Sequence, residues 1–255
     1  MTFIVGMRCE DGICIASDSL EADGYTKRNV KKLYWFTEPQ RGRWGVAWGC
    51  AGYGSVIKRF NDKALDLIAK EGEEYDHYRI EELFESLIKQ MHEDYPSEQL
   101  EAVITLWGIS EDGKDDLRLY CVSQGSHCLA VENHFACAGM DTSLARFLLD
   151  CLYRDYVTVH EGEQIAVFVV SLMKEKADGV GGDTQLVGHA IGENEWAVSS
   201  PSNIANAENT IYKIGDVEGA LGQFFWHRTS HKFRPNSDGS DSCVMGYKSP
   251  THYET

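Results

Sequence analysis

The chain has 255 residues, enough for one large domain or two small ones with a substantial hydrophobic core. A composition of 43% hydrophobic and 25% charged residues is typical of a folded globular protein and excludes a wholly disordered chain. The 40 acidic residues outnumber the 24 basic ones, and the formal net charge of -16 excludes an extended basic surface for nucleic acid or an anionic membrane.

The N-terminal residues do not have the features of a targeting segment. The first strand-like stretch is interrupted by Arg8, Glu10 and Asp11, whereas a secretory signal has a long apolar region, and no apolar run reaches the roughly 18 residues of a membrane span. The eight cysteines form no CxxC pair, and several lie within apolar runs. We therefore expect reduced thiols and a cytoplasmic protein.

The first elements along the chain are strands. TFIVGMRC and ICIAS alternate around the turn residues Glu10, Asp11 and Gly12, and Asp-Gly is a strong hairpin signal. After a polar stretch, VKKLYWF and RWGVAWGCAG predict two more strands. The sequence therefore begins with four predicted strands.

Helices and strands alternate in groups after that point. Apolar residues at helical spacing predict one helix over residues 55–70 and a second through residues 80–91. A second β group follows as AVITLWGI, LRLYCVS and HCLAVENHFACAG. Two helices come next, one capped at Asp141 or Thr142 and one over residues 163–176, before the strand pair GGDTQLVGHAIG and NEWAVSS. This order predicts an α+β fold in which two antiparallel sheets lie between two helical layers, a four-layer αββα sandwich.

The chain shows no internal repeat and no linker up to its last part. Residues 203–228 predict a further helix, whereas residues 229–255 are polar and rich in Gly, Ser and Pro. We therefore predict one domain over residues 2–228 and a flexible tail over 229–255. His227 and His231, four apart, lie at the edge of this tail, and no HxH or HExxH pair occurs, so neither a metal nor another cofactor is expected.

Thr2 is the candidate nucleophile. A hydroxyl attacks poorly until a base takes its proton, and removal of Met1 would give Thr2 a free α-amino group with a pKa of about 7.7 to 8.0. Such a site also needs a cation, a carboxylate to hold it, and backbone N–H groups for an oxyanion. Asp18 at the end of the hairpin, Lys31 or Lys32 before the next strand, and GCAGYG at a strand-to-helix junction are the candidates.

These residues in this order resemble the proteasome β-subunit superfamily of N-terminal nucleophile hydrolases, including the bacterial HslV-type and Anbu-type subunits. The threonine start, IVG, the Asp-Gly turn, a strand ending in A-x-D, V-K-K and the Ala-Gly at a strand end carry the resemblance, which is dense over residues 2–52. The predicted element order through residue 200 matches the family's sandwich. The resemblance implies a threonine peptidase that forms an acyl-enzyme, a homo-oligomeric ring or spiral, polypeptide substrates, and an ATP-dependent unfoldase as a possible partner.

The family's functional positions carry over onto particular residues. Thr2 resembles the nucleophile, Asp18 the supporting carboxylate and Gly52 the oxyanion-binding glycine. Lys32 resembles the catalytic lysine, although Lys31 stays an alternative because the preceding loop is about two residues short. Asp178 matches a further acid only with a shift of one residue, and the substrate pocket would include Cys50 and Ala22.

Two departures from the family pattern keep other functions open. Ala138 stands where the family often has a serine near the terminal amine, and no serine follows Asp178 in ADGVGGD. These gaps leave a non-catalytic assembly subunit as one alternative. A small-molecule amidase or acylase of the same fold is the other. In isolation, a first-strand threonine is an ordinary strand former, and Asp18, Lys31 and Lys32 are ordinary surface charges.

Overall fold

A computed structural model describes residues 2–22, 26–39, 42–71, 77–110, 112–123 and 129–213. Met1–Thr210 form one compact unit and Ile211–Thr255 a second. The predicted boundary at residue 228 and the predicted tail, with His227 and His231 beside it, lie outside the described residues and stay predictions. In the described part of the chain, no helix combines the length and the apolar character that crossing a bilayer requires.

The described elements are twelve strands and five helices. In chain order they are β1 (Phe3–Cys9), β2 (Gly12–Asp18), β3 (Leu20–Ala22), β4 (Lys27–Asn29), β5 (Leu33–Thr37), β6 (Trp44–Gly52), α1 (Gly54–Glu71), α2 (His77–Asp94), β7 (Leu100–Ile109), β8 (Asp115–Val122), β9 (Ala130–Glu132), β10 (Phe135–Gly139), α3 (Thr142–Leu152), α4 (Val159–Lys176), β11 (Thr184–Ala190), β12 (Ala197–Val198) and α5 (Pro201–Lys213).

Two five-stranded antiparallel sheets form the centre of the fold. The first sheet has the order β10-β1-β2-β11-β12, and the second has the order β5-β6-β7-β8-β9, while β3 and β4 form a small ribbon. The predicted α+β sandwich is confirmed. The sheets do not follow the groups along the chain, however, because β1 and β2 lie in one sheet while β5 and β6 lie in the other.

The helices cover the outer faces of the sheets. Apolar residues of α1 and α2 pack on β6 and β7, and α4 crosses β1, β2 and β11. A second apolar cluster fills the space between the sheets, with Ile4, Ile15, Ala47 and Val103 among its members. Alternation along each central strand sends one side chain to a helical layer and the next to the opposite sheet.

The structure differs from three of the predicted elements. HCLAVENHFACAG is not one strand, because β9 pairs with β8 in the second sheet and β10 pairs with β1 in the first. Helix α4 begins at Val159, four residues earlier than predicted, because Thr158 and Glu161 form a capping box. Helix α5 begins at Pro201, and its described residues end at Lys213. At α3 the N-cap is Asp141, but its side chain makes no cap hydrogen bond.

Candidate active site

The β1–β2 hairpin brings the two ends of the opening segment together. The strands pair antiparallel with Ile4 opposite Ser17, so Phe3 lies beside the end of β2. The Phe3 N–H donates to Asp18 Oδ1 at 3.0 Å. Thr2, one residue earlier, is therefore held next to the Asp18 carboxylate by the register of the hairpin.

Asp18 is a buried carboxylate with a full set of donors. Its side chain is 0% exposed, and Lys32 Nζ lies 2.9 Å from Oδ1 and 3.0 Å from Oδ2. The Leu20 and Gly181 N–H groups also donate to Oδ2, at 3.2 and 3.0 Å. A buried charge is tolerated when it is paired and its lone pairs are satisfied, as they are here.

Lys32 is the lysine that faces Asp18. It is buried, and burial lowers its pKa, with the Asp18 charge acting in the opposite direction. Lys31 points elsewhere, with its Nζ 4.0 Å from the centre of the Trp35 ring. Successive side chains of an extended segment point to opposite sides, and the one-residue difference therefore places Lys32 rather than Lys31 on Asp18.

Gln185 holds the segment that carries Lys32, and sequence reasoning missed it. Its Oε1 accepts from the Lys32 and Leu33 N–H groups at 2.9 and 3.2 Å, and its Nε2 donates to the Val30 carbonyl at 2.6 Å. Gln185 lies on β11, opposite Ser17. Its position 153 residues from Lys32 leaves no local signal in the sequence.

Thr2 lies where two cavities meet. It is half-buried and lines both a cavity of about 790 Å³, with Lys32 and Cys50, and a cavity of about 460 Å³, with Glu101 and Gly139. The Thr2 carbonyl accepts from the Met140 N–H at 2.9 Å. The carbonyl of Thr2 is thus fixed by the residue that follows β10, and the next residue, Phe3, is fixed by Asp18.

Gly52 lines both cavities as well. It ends β6 with a φ of 131°, and a Cβ at this position would lie 2.0 Å from the Gln99 carbonyl oxygen. Any other residue would be strained there. Helix α1 begins two residues later, so backbone N–H groups of the helix N-terminus lie next to this corner, where they favour negative charge.

The sequence matches the family model described as "Proteasome subunit" over residues 2–187. The chain belongs to this family. A comparison with curated protein sequences found no match. The resemblance stated from the opening residues is therefore confirmed.

Solved structures of similar fold include Anbu proteins. An Anbu (Gly-1) mutant from Hyphomicrobium sp. strain MC1 superposes with a TM-score of 0.70 at 15% identity, covering 90% of this chain and 100% of that one. Anbu, described as an ancestral beta-subunit, from Yersinia bercovieri gives a TM-score of 0.68 at 11% identity, covering 96% and 100%. At these identities the likeness establishes the fold alone.

The larger cavity of this proteasome subunit has a polar floor. Cys50 and Asn61 are both almost fully buried there. Asn61 Oδ1 accepts from Trp48 Nε1 at 2.9 Å and from Cys50 Sγ at 3.9 Å. Burial raises the pKa of Cys50, so its thiol stays neutral. Asn61 of α1 belongs to no recognisable motif, and the sequence did not predict it. Of the two predicted pocket residues, Cys50 lines the larger cavity and Ala22 is the last residue of β3.

Asp178 lies apart from these groups. It is exposed in the turn after α4, and the described residues that line the two Thr2 cavities do not include it. The neighbouring Gly181 instead donates to Asp18, and the Asp183 N–H donates to Ser19 Oγ at 2.7 Å. Ala138 is buried between the sheets and also lines neither cavity.

Proposed function

We propose that this proteasome subunit is an N-terminal threonine peptidase that acts after removal of Met1. The observation that carries the proposal is the buried Lys32–Asp18 pair, which the hairpin holds beside Thr2 at the edge of a cavity large enough for a side chain of a peptide. Cys50 at the floor of that cavity favours an uncharged substrate side chain.

The proposed reaction has two steps. The α-amine of Thr2 takes the proton of Oγ, directly or through a water, as Oγ attacks the peptide carbonyl. The tetrahedral oxyanion is stabilised by the Gly52 N–H, and its collapse breaks the C–N bond as the proton passes to the leaving amine. Water then attacks the ester and releases the acid, which regenerates Thr2.

Lys32 and Asp18 support the amine in this reaction. An ammonium near the α-amine disfavours its protonation, so the amine is free to act as a base near neutral pH. Asp18 holds Lys32 in place. The family further suggests a homo-oligomeric ring or spiral that encloses the sites in the cytoplasm, polypeptide substrates, and an unfoldase partner. Asp178 and Ala22 stay proposed contributors on the resemblance alone.

One observation favours a non-catalytic assembly subunit instead. Neither Ala138 nor Asp178 contributes a polar group to the two cavities that meet at Thr2. If the α-amine depends on such groups for orientation, the site would be present but inactive.

A peptide epoxyketone tests the proposal, because this reagent forms a ring with the hydroxyl and the free amine of an N-terminal threonine. Intact mass should show loss of Met1 and one adduct on the wild type, and no adduct on Thr2→Ala. Thr37→Ala, at the far end of β5, is the matched control and should be labelled like the wild type. Retention of Met1 on the native protein would contradict the proposal, and an unlabelled chain without Met1 would favour the non-catalytic subunit.

A further inference from the structure

The smaller cavity beside Thr2 contains a carboxylate that the proposed mechanism does not use. Glu101 lies on β7 opposite Ala51 and is half-buried. Its neighbours Leu100 and Ala102 pack toward α1 and α2. Strand alternation therefore turns Glu101 to the opposite face, toward the space between the sheets, at the end where Thr2 lies.

A hydrogen bond joins Glu101 to the segment that touches Thr2. Glu101 Oε2 accepts from the Gly139 N–H at 2.8 Å. Gly139 has a φ of 98° and approaches Thr2 so closely that a Cβ would lie 2.0 Å from the Thr2 carbonyl oxygen. The next residue, Met140, donates its N–H to that carbonyl. The Glu101 carboxylate and the Thr2 carbonyl therefore bind the N–H groups of two consecutive residues, Gly139 and Met140.

Among the residues that the structure describes, the Gly139 N–H is the one donor to the Glu101 carboxylate. A carboxylate has two oxygens that accept several hydrogen bonds, so Glu101 has capacity for a further donor or a cation. A free α-ammonium on Thr2 would be such a group, since Thr2 and Glu101 line the same cavity.

The charges around Thr2 are divided between the two cavities. The described residues lining the larger one include four cations and two carboxylates: Arg28, Lys31, Lys32, Lys58, Glu21 and Asp62. Its other titratable groups are the Tyr34 phenol and the Cys50 thiol, which has a raised pKa. The smaller cavity has Glu98 and Glu101 and no described Lys or Arg, and Tyr53 lines both. Of the four cations, Lys32 is paired with Asp18 and Arg28 with Glu21. An ammonium at the junction of the cavities is therefore attracted chiefly by the carboxylates of the smaller one.

We propose that Glu101 is the positioning residue for the Thr2 α-amine and accepts a hydrogen bond from it, directly or through one water, once Met1 is removed. This role rests on the proposed function, because only a free amine can donate in this way. It supplies, from β7, the polar group that Ala138 and Asp178 do not supply. Asp18 and Lys32 lie on one side of Thr2, and Glu101 orients the amine from the other.

The test measures the amine itself and does not depend on peptidase activity. Chains that begin at Thr2 are prepared, by cleavage of a fusion directly before Thr2 if the purified protein keeps Met1. The pKa of the α-amine is obtained from competitive acylation as a function of pH, with the N-terminal peptide quantified by mass spectrometry. Glu101→Gln should lower this pKa by about 1, because the carboxylate favours the protonated amine.

Matched variants separate positioning from structure. The amide oxygen of Glu101→Gln can still accept from the Gly139 N–H, so a change in the pKa of the amine reports the loss of the charge and not the loss of this contact. Glu132→Gln removes the same charge from half-buried Glu132 of β9, which lines neither cavity, and should change the pKa by less than about 0.3. If Glu101→Gln does not fold, Glu101→Asp keeps the charge at a shorter reach and should give a smaller decrease.

Two results would overturn the inference: an unchanged pKa in folded Glu101→Gln, or an equal decrease in Glu132→Gln. Failure of the proposed function would look different. If Glu101→Gln lowers the pKa of the amine as expected but the wild type takes up no epoxyketone, the positioning role of Glu101 stands and the proposed peptidase activity fails. Thr2→Ala keeps the amine and lacks the hydroxyl. In chains that carry Thr2→Ala, adding Glu101→Gln should lower the pKa of the amine by the same amount as it does in the wild type.

Discussion

At the scale of single residues, the site depends on one buried ion pair. Removing one partner of such a pair costs more than the pair itself contributes, because the other charge stays buried without compensation. Asp18 would keep its three backbone donors after loss of Lys32 but would have no cation. We therefore expect loss of Lys32 to affect both the stability of the fold and the proposed chemistry.

The substitution Lys32→Met should abolish labelling of Thr2 and lower the free energy of unfolding by about 3 kcal/mol. Urea denaturation and the epoxyketone adduct measure the two effects. Lys31→Met is the matched control: it removes a lysine of the same segment that stacks on Trp35, and should cost less than about 1 kcal/mol and keep the adduct. The reverse pattern would assign the role to Lys31.

The sequence narrowed the proposed lysine of the site to two neighbours, and the structure shows that Lys32 is the one paired with Asp18. Both side chains have the same chemistry, and the loop that precedes them is about two residues shorter than in the family pattern. The decision depends on Gln185, which fixes the backbone of Val30 and Lys32 from another strand. Such long-range contacts leave no periodicity that a local reading of the sequence could detect.

At the scale of elements, the corner between β6 and α1 shapes the edge of both cavities. Gly52 occupies a backbone conformation that other residues rarely adopt, whereas a Cβ on Gly54, the first residue of α1, would lie in ordinary contact with Glu21 Oε1 at 3.9 Å. The two glycines of CAGYG therefore have different physical roles, although the sequence presents them alike.

The substitution Gly52→Ala should lower the free energy of unfolding by about 1–3 kcal/mol and abolish the epoxyketone adduct, because the new Cβ would force the Gln99 carbonyl away. Gly54→Ala is the control and should be neutral or stabilising by up to about 1 kcal/mol, since alanine favours the helix. Denaturation midpoints and intact mass measure both variants. Equal effects of the two substitutions would contradict this account of the corner.

At the scale of the whole molecule, the space between the sheets contains a buried histidine. His189 of β11 is 1% exposed, and its ring stacks on Trp107 of β7 with centroids 4.0 Å apart. Within the described ranges, its Nε2 has no hydrogen-bond partner. Burial lowers the pKa of His189, so the neutral ring is the form that joins the two sheets.

The lowered pKa makes stability depend on pH in a defined direction. The stabilising effect of neutral His189 is complete above the unfolded pKa of about 6.5 and decreases as the pH falls below it, because the unfolded chain binds the proton first. The loss can reach about 1.4 kcal/mol per pH unit. His189→Phe, which keeps a ring on Trp107, should remove this component. The free energy of unfolding in urea is measured at pH 7.5 and 5.5 for the wild type and His189→Phe. An equal change with pH in the two proteins would contradict the assignment to His189.

Much of this proteasome subunit was determined by its sequence alone. Alternation and helical periodicity are local properties of the backbone, so the kinds of element, their order and the α+β sandwich could be predicted. The opening hairpin was also predictable, because the Asp-Gly turn fixes which residues of its two strands face each other. Thr2 and Asp18 could therefore be placed side by side before the fold was known.

The tertiary structure decided how distant segments meet. It divided the strands between two sheets without regard to chain order, separated β9 from β10, selected Lys32 over Lys31, and left Asp178 on the surface. It also brought Glu101 to Thr2 and Asn61 to Cys50. All of these features have the same physical reason. They depend on packing between residues that are far apart in the chain, and the local sequence around each residue is the same whether or not the contact forms.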